Sequence, residues 1–483
     1  MPTFRNSFVA GLLLALSWVS STPAQQKPSQ QAPAQSQDTS VAPIPAYHSP
    51  LASQADNGAD QNLDASERIV PDDRALAGAE ALTLGSSETS RSYWQPHVDL
   101  SGSADSNALG QNSGWTTYTS ILGGVNVHKI SGHSDLTVGY AAGGNFSNDG
   151  SIGNSVVQQL NFAEKITVRR VTLSFLENMN YLPQASLGYG LQTGVDGTAL
   201  QPGLAPLDSV LTTRGQRIDN SFLAEADVHL SPRSSVTMVG GYSLLHYFDN
   251  QPNVLNSTTA TAQGGYNRQV SAKDTIAVLY RFSDFRYGNG ISQTINDNAV
   301  QVSYGRRVTG RLALQFGGGP EITFFSSPIL NNSAGTSTSA SQVNFSASAS
   351  LTYQLRRAAL GGSYFRGVST GSGVSAGSVT DTVSANLSKQ LTRTVAGKIN
   401  GGYARNRALA IPGFGIYNQS YNYAFAGASL SRPWGRSMNV FVSYQAQYQY
   451  SNVGFCAGVT CGTSVVVHLI SVGWHWQARP MLF

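Results

Sequence analysis

A chain of 483 residues with only 12% Asp, Glu, Lys and Arg carries about half the charge of an average soluble domain, for which about 25% is usual. Its formal net charge of +4 is too weak to imply a nucleic-acid partner, and beyond the N-terminus it has no apolar run near the roughly 20 residues of a transmembrane helix. Poor in charge but holding 50 glycines, 21 tyrosines and 19 phenylalanines, it fits a transmembrane β-barrel, the other structure that satisfies every backbone group in lipid. A large soluble β-helix or propeller is the alternative.

At the N-terminus, Arg5 precedes an apolar run from Phe8 to Val19 and then Thr22-Pro23-Ala24, the pattern of a cleavable secretory signal over residues 1–24. No cysteine follows the cut. Residues 25–63 are Gln, Ala, Pro and Ser with few large apolar side chains, and such a segment buries too little surface to offset its ordering entropy. We expect a disordered periplasmic tail over 25–92. Within it, Asp72 and Asp73 are suited to capping a short helix near 74–84; an Ala-rich linker is the competing reading.

From residue 93 to 483 the sequence alternates between segments of about a dozen residues and turns of two kinds. Eight turns are short and mostly basic, around Lys129, Arg169-Arg170, Arg233, Lys273, Arg311, Arg356-Arg357, Arg393 and Arg436. The connections between them are longer and rich in Gly, Asn and Ser. Short turns at one rim and long loops at the other mark a bacterial barrel with its short turns in the periplasm. Eight hairpins plus a first and a last strand give about 18 strands, with 16 as the next choice. The fold class is therefore all-β, a single antiparallel barrel.

Individual strands support this by their period of two. Val343, Phe345, Ala347, Ala349, Leu351 and Tyr353 oppose Asn344, Ser346, Ser348, Ser350, Thr352 and Gln354. Aromatic pairs recur beside the turns (Tyr247/Phe248, Phe285/Tyr287, Phe324/Phe325, Tyr421/Tyr423, Tyr448/Tyr450, Trp474/Trp476), and we expect them at the membrane interfaces. Alternation sends Asp219, Glu225, Asp227 and His229 to the inner face, with Lys165, Arg281, Glu321 and Lys398 on inner faces by the same rule. Charges there would set the field across a channel, although a wet lumen also simply tolerates charge. Asp227 and His229 are two apart on one strand, but no nucleophile can be placed beside them. No catalytic motif, metal-ligand set or cofactor fingerprint is found.

Cys456 and Cys461, the only cysteines, stand in CAGVTC. In a secreted chain they are expected to form a disulfide closing a tiny external loop.

The last segment places Val466, Ile470, Val472, Trp474 and Trp476 on one face and ends on Phe483. Strict alternation would turn Phe483 away from that face, unless Pro480, which cannot donate a ladder bond, sits at a bulge. This aromatic closing strand resembles that of Gram-negative outer-membrane porin-like barrels, over about residues 94–483. The resemblance implies a bacterial outer-membrane location, outer-membrane lipid around the barrel, recognition of the C-terminal strand by the barrel-assembly machinery, and passive diffusion of small hydrophilic solutes. A homo-oligomer is compatible with it. It also implies that the third external loop, 182–216, folds inward as a weakly charged constriction with Asp196, Asp208 and Arg214 as its charges; packing over the rim is the other reading. The rival to a porin is a dedicated export barrel or adhesion scaffold that uses the tail and loops to bind partners.

Overall fold

The computed structural model describes residues 92–106, 114–148, 154–182, 216–248, 255–288, 293–327, 338–355, 357–369, 377–409, 420–452 and 464–483. The signal peptide, the tail with its short helix, the loop carrying Asp196, Asp208 and Arg214, and the Cys456–Cys461 bridge all lie outside these residues.

The described chain forms β1 (Tyr93–Asp105), β2 (Thr116–Ser131), β3 (Ser134–Ser147), β4 (Ser155–Val168), β5 (Val171–Leu182), β6 (Arg217–Ser231), β7 (Ser234–Tyr247), β8 (Ser257–Gln269) and β9 (Asp274–Tyr287). It continues with β10 (Gln293–Arg307), β11 (Leu312–Ser327), β12 (Thr338–Leu355), β13 (Ala358–Ser369), β14 (Ser378–Gln390), β15 (Ala396–Ala408), β16 (Ser420–Trp434), β17 (Met438–Ser451), β18 (Ser464–Gln477) and the two-residue β19 (Met481–Leu482). Each strand pairs antiparallel with its chain neighbours, and β1 also pairs with β18 and β19. The sheet thereby closes into an 18-stranded transmembrane barrel, with β19 a continuation of the last strand.

The faces are inverted relative to a soluble protein. On β17, Val442, Tyr444, Tyr448 and Tyr450 are exposed on the outside, whereas Ser443, Gln445, Gln447 and Gln449 are buried on the inside. The same division runs through β10, with Val300 and Val302 outside and Asp297, Gln301 and Ser303 inside. A lipid solvent accounts for it: exposed apolar rings lose nothing there, whereas polar groups are stable only facing inward.

The short turns have a more specific chemistry than their basic residues suggest. Ser271 Oγ accepts hydrogen bonds from the Lys273 and Asp274 amides, Thr309 Oγ1 from those of Arg311 and Leu312, and Thr392 Oγ1 from those of Thr394 and Val395. A hydroxyl that bonds the backbone two and three residues on fixes the reversal locally.

At the closing seam, His97 faces Gln477 and Trp94 faces Met481. The C-terminal side thus advances four residues while β1 advances three. The extra residue lies at Ala478–Pro480, which is the expected bulge. It returns Phe483 to the outer face, where it is exposed.

One expectation is corrected. Phe248, Phe324, Tyr448, Tyr450 and Trp474 do face outward, but Tyr247, Phe285, Tyr287, Phe325, Tyr421 and Tyr423 are buried on the inner parity. Adjacent aromatics (Tyr247/Phe248, Phe324/Phe325) point to opposite faces, so only one of each can serve the membrane. Phe285/Tyr287 and Tyr421/Tyr423, two residues apart, share one face, and both pairs take the inner one.

The outer face yields a direct test. Val302→Arg, in the outward row of β10, should lower the free energy of unfolding from lipid vesicles by about 2–4 kcal/mol if it lies near the midplane. Val302→Ile should leave the denaturant midpoint nearly unchanged.

Candidate functional site: a hairpin end folded inside the barrel

Asp219, Glu225, Asp227 and His229 share the inner face of β6, because Phe222 and Leu230 on the opposite parity are exposed outside while Arg217 and Leu223 on theirs are buried. Asp227 accepts a hydrogen bond from Thr237 on β7 at 3.2 Å. His229 Nδ1 lies 3.6 Å from Asp227 Oδ2, an ion-pair separation. Lys165 on β4 and Lys398 on β15 also take the inner parity. Lys165, Ser174 and Glu225 stand side by side in register on β4, β5 and β6, whereas Lys398 stands apart on β15.

Arg281 and Glu321 do converge, and with a third group. Arg281, Ala299 and Glu321 sit side by side in register on β9, β10 and β11. Adjacent strands are about 4.8 Å apart, so the guanidinium must cross over Ala299 to reach Glu321. It does: Arg281 Nη2 donates to Glu321 Oε1 at 2.6 Å and to Asp297 Oδ2 at 3.1 Å. All three are buried, Asp297 and Glu321 completely. Thr323 adds a donor to Asp297 Oδ1 at 3.0 Å. The methyl of Ala299 is what leaves room for the bridge.

The backbone before Glu321 is irregular for a reason written in the sequence. Pro320 has no amide hydrogen, and the β10–β11 ladder skips Gly319 and Pro320 before resuming in the same register. A Cβ at Gly319 would overlap the Val300 carbonyl. The Gly319 carbonyl instead accepts from Ser346 Oγ on β12, which in turn accepts from Gln301 on β10.

Above this level the wall splits. β12 pairs with β11 up to Thr338, but with β13 only as far as Ala347 opposite Arg366. Beyond Arg366, β13 pairs only with β14, through Val368 opposite Val379 and Ser369 opposite Ser378. Val379 shares the parity of Val383, which is half exposed on the outside, yet Val379 and Val368 are buried in one cluster with Leu255, Phe285, Tyr287, Ile295, Phe325 and Leu409. This is the geometry of a hairpin end that has passed inside the wall and laid its outer-parity face on the inner faces of β9–β11. The Val368 amide, lacking a β12 partner, donates to Glu321 Oε1 at 3.2 Å. Gly377 permits the approach: its φ is +76°, and a Cβ there would stand 2.5 Å from Ile295 Cδ1 and 2.9 Å from Leu409 Cδ1.

No family model matches this chain, and no curated protein matches it in sequence. Among solved structures, the chain is similar to the ferric citrate transporter FecA in its unliganded form (TM-score 0.41, 7% identity, 79% of this chain and 78% of that one covered). It is also similar to OccK2 (OpdF) of Pseudomonas aeruginosa in complex with glucuronate (TM-score 0.40, 11% identity, 80% and 98%) and to OccAB3 of Acinetobacter baumannii (TM-score 0.40, 8% identity, 80% and 99%). In each case the likeness is one of barrel architecture.

The site thus combines an apolar layer at the external end with a charged bridge below it, and Glu321 belongs to both through Val368. Asp297, Val368, Val379 and Gly377 were not singled out from the sequence. Asp297 stands on the same parity as Ile295 and Ala299, so a polarity pattern alone does not flag it.

Because Arg281 is the cation that bridges two buried carboxylates, Arg281→Ala should destabilise the barrel by about 3–5 kcal/mol, the range for breaking a buried pair from one side. Adding Asp297→Asn and Glu321→Gln to that variant should recover part of the loss. Denaturant unfolding in detergent or vesicles checks both.

Proposed function

We propose that this chain is a channel of the bacterial outer membrane through which small hydrophilic solutes diffuse passively. The observation that carries the reading is the inverted wall: apolar outside, polar and charged inside. In this reading the barrel stands in outer-membrane lipid with its short turns and N-terminal tail in the periplasm, and its C-terminal strand is the assembly signal. The inturned end of β13–β14 narrows the external half. The loop 182–216, with Asp196, Asp208 and Arg214, narrows it further, and a Cys456–Cys461 bridge stiffens the last external loop.

The charge of the inner wall sets the expected selectivity. On inner parity the described strands carry Asp99, Asp105, Asp135, Asp219, Glu225, Asp227, Asp297 and Glu321, against Lys165, Arg217, Arg281, Arg307 and Lys398. An acidic excess concentrates cations.

Planar-bilayer recording in a salt gradient tests the proposal. We expect stable conductance steps with a reversal potential on the cation-selective side, and a smaller cation preference for the Asp227→Asn variant. Absence of steps from folded, heat-modifiable protein would refute the channel reading.

A further inference from the structure

The bridge beneath the inturned hairpin end is one positive charge short. Arg281 supplies a single cation to Asp297 and Glu321, two acids that are both wholly buried. With all three ionised, one positive against two negative charges would leave a net negative charge where no water reaches it. Arg281 Nη2 bonds both acids, and the Asp297 and Glu321 carboxyl groups hydrogen-bond each other. Two carboxylates have no hydrogen to share, whereas a carboxylic acid and a carboxylate have one.

Among the described residues, the surrounding strands offer no second cation. Beside Arg281, β8 presents Gln263, and beside Glu321, β12 presents Asn344. Thr323 gives Asp297 a neutral donor, and β13 gives Glu321 the Val368 amide. Arg366, two residues before Val368, is turned to Asp381 and to the Phe345 carbonyl. Glu321 Oε2 is buried with no hydrogen-bond partner among the described residues. An oxygen sharing an ionic charge is costly in such a place, and an oxygen of a neutral acid is less so.

We propose that Asp297 and Glu321 form a proton-binding site, holding one proton between them, and that this proton controls whether the end of β13–β14 stays inside the barrel. With the proton bound, the cluster is neutral, and the apolar layer of Phe325, Val368 and Val379 closes over it. When the proton leaves, one O–H bond breaks, the proton passes to water in the lumen, and an unpaired carboxylate remains beneath that layer. The carboxylate accepts more strongly from the Val368 amide. One charge-assisted hydrogen bond nevertheless returns less than the burial of an unpaired ion costs. The hairpin end therefore moves off and lets water reach the acids. The proton belongs to the pair, not to either residue alone. Its effect on permeation rests on the channel reading above; the proton site does not.

Val379→Cys, in the full chain with Cys456→Ser and Cys461→Ser, reports on the hairpin end. Its rate of labelling in detergent by a water-soluble thiol reagent is divided by that of Arg393→Cys, at an exposed turn, which removes the pH dependence of the thiol chemistry. With Glu321 intact, we expect the ratio to rise roughly tenfold from acidic buffer, about pH 5, to alkaline buffer, about pH 9. With Glu321→Gln, whose amide keeps the shape of the protonated acid, it should stay at its acidic value throughout. Single-channel conductance in planar bilayers should follow the same course, lower in acid and higher in alkali. A flat ratio with Glu321 intact, a rise that survives in folded Glu321→Gln protein, or a response to sodium at fixed pH in place of a response to pH would each overturn the proposal. If Glu321→Gln does not fold, the series with Glu321 intact decides alone. A pH-dependent ratio from protein that gives no conductance steps would refute the channel reading and leave the proton site standing.

Discussion

In lipid, a backbone amide or carbonyl without a partner costs several kcal/mol, and the rest of this structure follows from meeting that demand. A sheet can do so only by closing, and closure here depends on β1 bonding β2 on one edge and the C-terminal strand on the other. That seam joins the two ends of the barrel sequence, from Tyr93 opposite Leu482 to Asp105 opposite Leu469. Pro480 interrupts it without opening it. The Ala478 amide reaches the Pro96 carbonyl, and the Phe483 amide reaches the Ser92 carbonyl. One extra residue thus costs the seam little while restoring an outward aromatic at the chain end.

The same demand explains why the irregular backbone lies where it does. Where β13 parts from β12, the freed groups are not left to lipid: the Phe345 carbonyl takes Arg366 and the Val368 amide takes Glu321. Where Pro320 breaks the β10–β11 ladder, the Gly319 carbonyl takes Ser346. Side chains on neighbouring strands replace missing ladder bonds, and their placement puts a buried Arg281–Asp297–Glu321 bridge beneath an apolar layer. Burial makes such a bridge poor evidence for stability, since the desolvation of its ions offsets much of their attraction. Its clearer role is geometric, fixing where the end of β13–β14 sits.

Strand number, turn alternation and the inner placement of Asp227, Arg281, Glu321 and Lys398 were legible in the sequence because a period of two is a local property. The seam bulge was legible because proline's missing donor is also local. The inward end of β13–β14 was not. Val368 and Val379 have the parity of lipid-facing residues, and only the loss of pairing above Arg366 places them inside. The joining of Arg281 to Asp297 depends on a register across three strands and on the small side chain of Ala299. For the aromatic pairs, clustering beside turns was read as a girdle, whereas alternation had already assigned half of them to the interior.

Along the strands a polar inner face alternates with a lipid face. Single cysteines along β6, in a background with Cys456 and Cys461 replaced by serine, test it most directly by labelling in vesicles with a membrane-impermeant thiol reagent. At Glu225, Asp227 and His229 the cysteines should react, and at Ala224, Ala226 and Val228 they should be protected. Uniform labelling, or labelling on the even positions instead, would contradict the account.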